Sequence, residues 1–326
     1  MDNLYEMIKK ADSGDVEAQY EVAKYIIFGD FHEDVEPDWA ERAIHYFKSA
    51  AARGNSNAMC YLGATYNVGR GVKPDIYEAI YWWRQSASLL NKYAYRPLSS
   101  YDGKEPDGSY GKKCFNYLFK GAILGNAECI SEIGAMFFDG EFLDADQRLA
   151  FKLYRVSYNT IEDNADDYGE ICLRLGMCYN DGTGVEQDLV KAKFFFTKTI
   201  EIEESKIASG ICEHYFIGSL NRAKLFLKRL NIGKPLIEEK IVNSIEQTAE
   251  ELFELGLNCF ENELDYENAF KYFAKCILTK IVSKSSYGDE LLYLARMYRE
   301  GLYIKTDERF SEFLNTLNKR TEVLNG

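Results

Sequence analysis

The chain has 326 residues with 39 Lys and Arg against 52 Asp and Glu, a formal net charge of −13. A surplus of acid on that scale disfavours nucleic acid and anionic membrane and favours a basic partner. No apolar run approaches the roughly 18 residues that suggest a membrane span, and the start Met1-Asp2-Asn3-Leu4-Tyr5-Glu6 lacks the basic and apolar regions of a signal peptide, so a cytoplasmic protein is expected.

In chain order, residues 4–13 end in Lys10-Ala11-Asp12-Ser13-Gly14, like the tail of a helix, and residues 1–14 are read as a half-unit capping the N-terminus. Residues 15–90 hold two repeats. The second contains Leu62-Gly63-Ala64-Thr65-Tyr66-Asn67-Val68-Gly69-Arg70-Gly71-Val72, which returns as Leu175-Gly176-Met177-Cys178-Tyr179-Asn180-Asp181-Gly182-Thr183-Gly184-Val185. The echo continues at equal offsets: Asp75, Ala79 and Trp82-Trp83 match Asp188, Ala192 and Phe195-Phe196. Weaker copies place Ile133-Gly134, Gly140, Ala150 and Tyr154, and Val22-Ala23, Ala43 and Tyr46-Phe47, in the same slots. A period near 35 to 40 residues means that no single repeat has its own core and neighbours must stack.

Within each repeat the apolar residues fall at helical spacing, Ala58, Leu62 and Tyr66 on one helix and Ala79, Trp82 or Trp83, and Ala87 on the next. Gly63 is small where paired helices approach, and the aromatics fill the gaps. Gly69 and Gly71 end the first helix and Asp75 caps the second. Residues 91–110 break the pattern: the first helix of a repeat is missing, the second survives as Lys112 to Leu124, and Pro97, Pro106 and Tyr93, Tyr95, Tyr101 and Tyr110 stand in between. These tyrosines either bind a partner or cover the apolar face left by the missing helix. Repeats resume over 111–204; a degenerate one with its connection spans 205–245, built on Ile211-Cys212, Tyr215 and Gly218; 246–284 turns more tightly; and 285–326 closes the array, its last helix over 307–320.

These residues resemble the Sel-like repeat (SLR) family, a relative of the tetratricopeptide repeat, with 246–284 closer to the tetratricopeptide form. The resemblance implies an all-α, right-handed αα-solenoid, here one continuous array over 1–326, and a bacterial, non-enzymatic scaffold or adaptor that holds a protein or peptide. An immunity-type or regulatory antagonist occluding one effector is the alternative. The family's concave surface is lined by the first helix of each pair, and the residue five before the Leu of Leu-Gly rims it: Glu17, Asn57, Glu128, Glu170, Lys206, Glu250 and Asp289. Mostly acidic, the row suggests a groove for a basic partner, although carboxylates also suit the first turn of any helix. Asn67 and Asn180 match one Asn of the clamp with which some tetratricopeptide domains hold chaperone tails, but Ala64 and Met177 replace the other, so that mode is excluded.

Chemistry is scarce. His32, His45 and His214 are far apart, with no zinc-type spacing. The Gly-x-Gly turns follow helices rather than strands and are read as helix ends, not phosphate loops. Neither metal nor cofactor nor catalytic residue is expected. The eight cysteines, at 60, 114, 129, 172, 178, 212, 259 and 276, include no C-x-x-C and are read as reduced packing residues.

Overall fold

The computed structural model describes residues 2–29, 37–103, 111–162, 165, 167–209, 213–231 and 247–325. Among them there is no strand, and the architecture is an all-α solenoid of helix pairs. The chain falls into two compact units, Met1–Gly125 and Asn126–Gly326.

In the first unit α1 (Asp2–Asp12) packs on α2 (Val16–Phe28), which pairs with α3 (Pro37–Ala52); α4 (Ser56–Val68) pairs with α5 (Ile76–Ser88), and α6 (Tyr95–Tyr101) with α7 (Lys112–Ile123). In the second, α8 (Ala127–Asp139) pairs with α9 (Gln147–Thr160), α10 (Tyr168–Asp181) with α11 (Leu189–Ala208), α13 (Ala249–Leu257) with α14 (Tyr266–Ser283), and α15 (Glu290–Glu300) with α16 (Glu308–Asn325). Between them α12 (Glu213–Asn231) lies against α11 and α10.

One local rule builds the pairs. A Cβ on Gly63 would sit 2.4 Å from Trp83, on Gly134 2.7 Å from Tyr154, on Gly176 2.5 Å from Phe196 and on Gly256 2.6 Å from Phe273. These four first helices thus offer bare backbone to an aromatic ring of the partner helix, and the ring is buried there. The turn is equally regular. Gly69, Gly140, Gly182 and Gly301 take left-handed conformations at the helix end, and the N–H of Asp75, Asp146, Asp188 and Asp307 donates back to the carbonyls of Tyr66, Phe137, Tyr179 and Tyr298 at 2.8 to 2.9 Å. The same aspartates cap the second helix, as when Asp188 accepts from Lys191 N at 3.0 Å. A third bond recurs: Ser86 Oγ donates to Ser56 O, Ser157 Oγ to Ala127 O and Thr199 Oγ1 to Gly169 O, tying each second helix to the start of its partner.

Two expectations need correction. The first helix between Asn91 and Tyr110 is shortened rather than lost. Asn91 accepts from Tyr93 N at 3.1 Å to start a 3₁₀ turn, Lys92–Ala94, that runs into α6. Pro97 falls in the first turn of α6, where an N–H has no helical acceptor to lose. Asp102, at its end, accepts from Arg84 at 2.7 and 3.1 Å, Lys113 at 2.8 Å and Tyr117 Oη at 2.6 Å, fastening α6 to α5 and α7. Residues 104–110, with Pro106 and Tyr110, lie outside the described residues. The degenerate repeat also differs: Gly218 does not end a helix but sits within α12, with nothing within 4 Å of where a Cβ would stand. Cys212 and the side chain of His214 lie outside the described residues, as do 30–36 of the long first turn and 232–246.

Candidate interaction surface

The expected acidic row is only partly available. Glu17, Glu250 and Asp289 are exposed at the starts of α2, α13 and α15, and Glu128 is half-buried at the start of α8. Glu17 accepts from Asn55 Nδ2 at 3.3 Å, and Asn57 from Asn91 Nδ2 at 2.9 Å. Glu170 is engaged internally. Arg174 Nε lies 3.3 Å from its Oε1 and Arg222 Nη1 3.7 Å away, while Arg174 also bonds Glu132 at 3.0 Å and Ser131 O at 3.1 Å. A carboxylate already held by two guanidinium groups has little charge to offer a partner. Lys206 is misplaced by the register, because α11 runs twenty residues and carries it on a second helix. It is buried, its Nζ donating to Ala165 O at 2.6 Å and lying 4.9 Å from the Phe216 ring.

The two tyrosines of the insertion separate. Tyr95 is 2% exposed and its hydroxyl donates to Ala87 O at 3.0 Å, so it is core. Tyr101 is half-exposed, its ring stacked 5.5 Å from Trp83 and its hydroxyl accepting from Asn67 Nδ2 at 3.3 Å.

What the reading of the inner face missed is an exposed apolar patch on a second helix of each unit. On α5, Ile76, Tyr77 and Tyr81 are 36%, 83% and 50% exposed; at the same offsets from the capping Asp on α11, Leu189, Val190 and Phe194 are 50%, 81% and 55% exposed. The next residue in each is an aromatic set edge-on to its neighbour, Tyr81–Trp82 at 5.2 Å and Phe194–Phe195 at 5.1 Å. The corresponding positions of α9 are Gln147, Arg148 and Lys152. Exposed apolar side chains grouped on one face mark contact surfaces, and the same slots recur in two repeats.

One buried group stands apart. Glu203 on α11 is 1% exposed, and its Oε1 accepts from Ser219 on α12 at 3.0 Å. Its Oε2 has no hydrogen-bond partner, and a Cβ on Gly169 of α10 would lie 2.0 Å from Oε1. Burial pushes its carboxyl up from 4.5 to about 7, against the Ser219 bond and nearby Lys206. Cys172, Cys178 and Cys276 are buried thiols pushed up to about 12 by burial, which leaves them protonated and poor nucleophiles. Among the described residues no group of three His, Cys, Asp or Glu could hold a metal ion, and no helix is long and apolar enough to cross a membrane.

Stacked helix pairs with left-handed Gly turns define a helical-repeat protein. The Sel1 repeat model matches residues 16–55, 56–89, 127–158, 170–201, 249–275 and 291–312, more than half of the chain, and the protein belongs to the Sel1 repeat family. A Sel1 repeat protein from Oxalobacter formigenes is similar at 20% identity and a TM-score of 0.48, covering 68% of this chain and 97% of its own. A protective antigen of uropathogenic Escherichia coli, described as displaying an SLR fold, is similar at 17% identity and a TM-score of 0.40, covering 98% and 90%. No curated protein matches in sequence.

Proposed function

We propose that the protein is a non-enzymatic scaffold that holds another protein, with contacts from the exposed apolar patches that α5 and α11 each carry in their own unit. The observation that carries this reading is the recurrence of exposed apolar residues at the same slots of α5 and α11, Tyr77 and Tyr81 and again Val190 and Phe194. Large side chains of this kind dominate the energetics of protein contacts. Charge sets the preference among partners. The net charge of −13, with Glu17, Glu128, Glu250 and Asp289 at helix starts, favours a basic partner and fast, salt-sensitive association. Tyr101 remains a candidate contact, whereas Glu170 and Tyr95 leave the set because each is engaged internally.

The test is affinity capture by three forms of the full chain: wild type, Tyr77→Ser/Tyr81→Ser, and Glu17→Gln/Glu128→Gln/Glu250→Gln. The tyrosine variant should lose a stoichiometric partner with its melting temperature kept. The glutamine variant should keep the partner at low salt with a flatter salt dependence. A partner retained by the tyrosine variant refutes the contact through the α5 patch, and an identical salt dependence refutes the acidic contribution.

A further inference from the structure

Besides its partner α13 and the following α15, helix α14 lies against α9. Lys275 places Nζ 3.0 Å from Asp146 Oδ2, the two side chains being 17% and 10% exposed. The same ammonium is 3.4 Å from Gln247 Oε1 and 5.9 Å from the centre of the Phe137 ring. One turn earlier, Lys271 Nζ sits 4.9 Å over Phe142 and 2.9 Å from Glu267 Oε1 of its own helix. Asp146 therefore does two things at once, capping α9 through Leu149 N–H at 3.0 Å and receiving a lysine from another repeat. In the corresponding turn Asp188 pairs with Lys191 of its own first turn.

The backbone supplies an independent observation. The slot filled by Gly71 and Gly184, with φ of 70° and 72°, is filled by Phe142 at 64° and Tyr303 at 69°. A bulky residue in the left-handed region is a conformational outlier that the surroundings must hold in place. In the glycine cases the turn nests on a preceding second helix: a Cβ on Gly71 would lie 2.7 Å from Ala40 Cβ, and one on Gly184 2.0 Å from Gln147 O. Tyr303 likewise nests on its preceding second helix, 5.9 Å from Phe270 of α14, whereas Phe142 lies under Lys271 of α14, a helix of a repeat further along the chain.

We propose that Phe137 on α8, with Phe142 and Asp146 on the turn that follows it, forms a docking site for a helix bearing lysines one turn apart, and that α14 is its resident occupant. Two ammonium groups on α14 meet two ring faces and one carboxylate, which is both cation–π and ionic complementarity. The C-terminal helices α13 to α16 then act as an intramolecular plug, and their release opens the site to another basic helix. The inference concerns a contact inside the chain and stands whatever the external partner is.

Hydrogen exchange by mass spectrometry on the full chain tests it. Asp146→Asn keeps the cap, since Asn serves there as well as Asp, but removes the charge; Lys271→Gln/Lys275→Gln removes both cations. In each variant the amides of 142–149 should exchange about tenfold faster, as local opening predicts, while those of 150–157 keep wild-type protection. A synthetic peptide of residues 266–283, added in excess to the lysine variant, should restore protection at 142–149. Unchanged exchange in both variants overturns the proposal, as does acceleration throughout α9, which would make these residues supports of that helix. Acceleration that the peptide does not reverse overturns the docking site.

Discussion

Replacing Gly176 by Ala adds one methyl group where the structure has no room for it. The new Cβ would lie 2.5 Å from Phe196 Cε1 and 2.6 Å from Cδ1. The ring cannot swing away freely, because it is fully buried and stacked 5.0 Å from Phe226 of α12 at an interplanar angle of 21°. Overpacking of this kind costs about 1 to 3 kcal/mol, while exchanging Gly for Ala inside a helix returns about 1 kcal/mol. The net expectation is a loss of about 1 kcal/mol, small enough to need a control. Gly218 provides it, being helical, exposed and with nothing within 4 Å of a Cβ, so Gly218→Ala should stabilise by up to about 1 kcal/mol. Urea denaturation of both variants then isolates the overpacking as their difference, about 1 to 3 kcal/mol. Phe196→Leu placed on the Gly176→Ala background should show favourable coupling, since the two residues touch. If Gly176→Ala stabilises as much as Gly218→Ala does, the helices are not in contact at this point and the pairing rule fails for this repeat.

Glu203 predicts a pH dependence. Its carboxyl is raised in the fold from 4.5 to about 7, so the folded chain retains a proton that the unfolded chain has lost. Its stabilising contribution is complete below about pH 4.5 and is lost as pH rises through about 7, with a ceiling near 3 kcal/mol from 1.36 kcal/mol per unit. Glu203→Gln should flatten melting temperature against pH between 5 and 8, and a slope equal to wild type's would dismiss the idea. Tyr95→Phe should cost about 1 kcal/mol for its hydrogen bond to Ala87 O, and Tyr95→Ser about 3 kcal/mol or more as a cavity opens; denaturation midpoints at wild-type values would put Tyr95 at the surface instead. Ser157→Ala and Thr199→Val should each cost about 0.5 to 1.5 kcal/mol by freeing the carbonyls of Ala127 and Gly169, again read by urea; no loss in either would mean that the recurring bond is incidental.

The pairing of helices was legible because it depends on what a residue lacks. Gly63, Gly134 and Gly176 each stand at a fixed distance before Trp83, Tyr154 and Phe196, and only a missing Cβ lets a ring lie that close, so spacing and packing are one constraint. The bond from Ser86, Ser157 and Thr199 was not read in advance, although each follows that aromatic by three residues; a small polar residue in an apolar slot was the signal that went unused. Surfaces obey no such constraint. Glu170 looked available because a helix start accounts for its charge, yet Arg174 one turn later was a visible partner, whereas Arg222 is brought in only by α12. Tyr95 and Tyr101 differ in burial because α6 turns one inward and the other outward, and a segment read as irregular carries no helical phase to distinguish them. Lys206 failed for the opposite reason: α11 extends beyond the usual length, and a register counted from glycine slots slips once a helix overruns them. The seat of α14 on α9 lay furthest from reach. Its lysines are ordinary residues of an exposed helical face in sequence, and only Phe142 in a slot made for glycine hinted that its turn meets something other than the preceding helix.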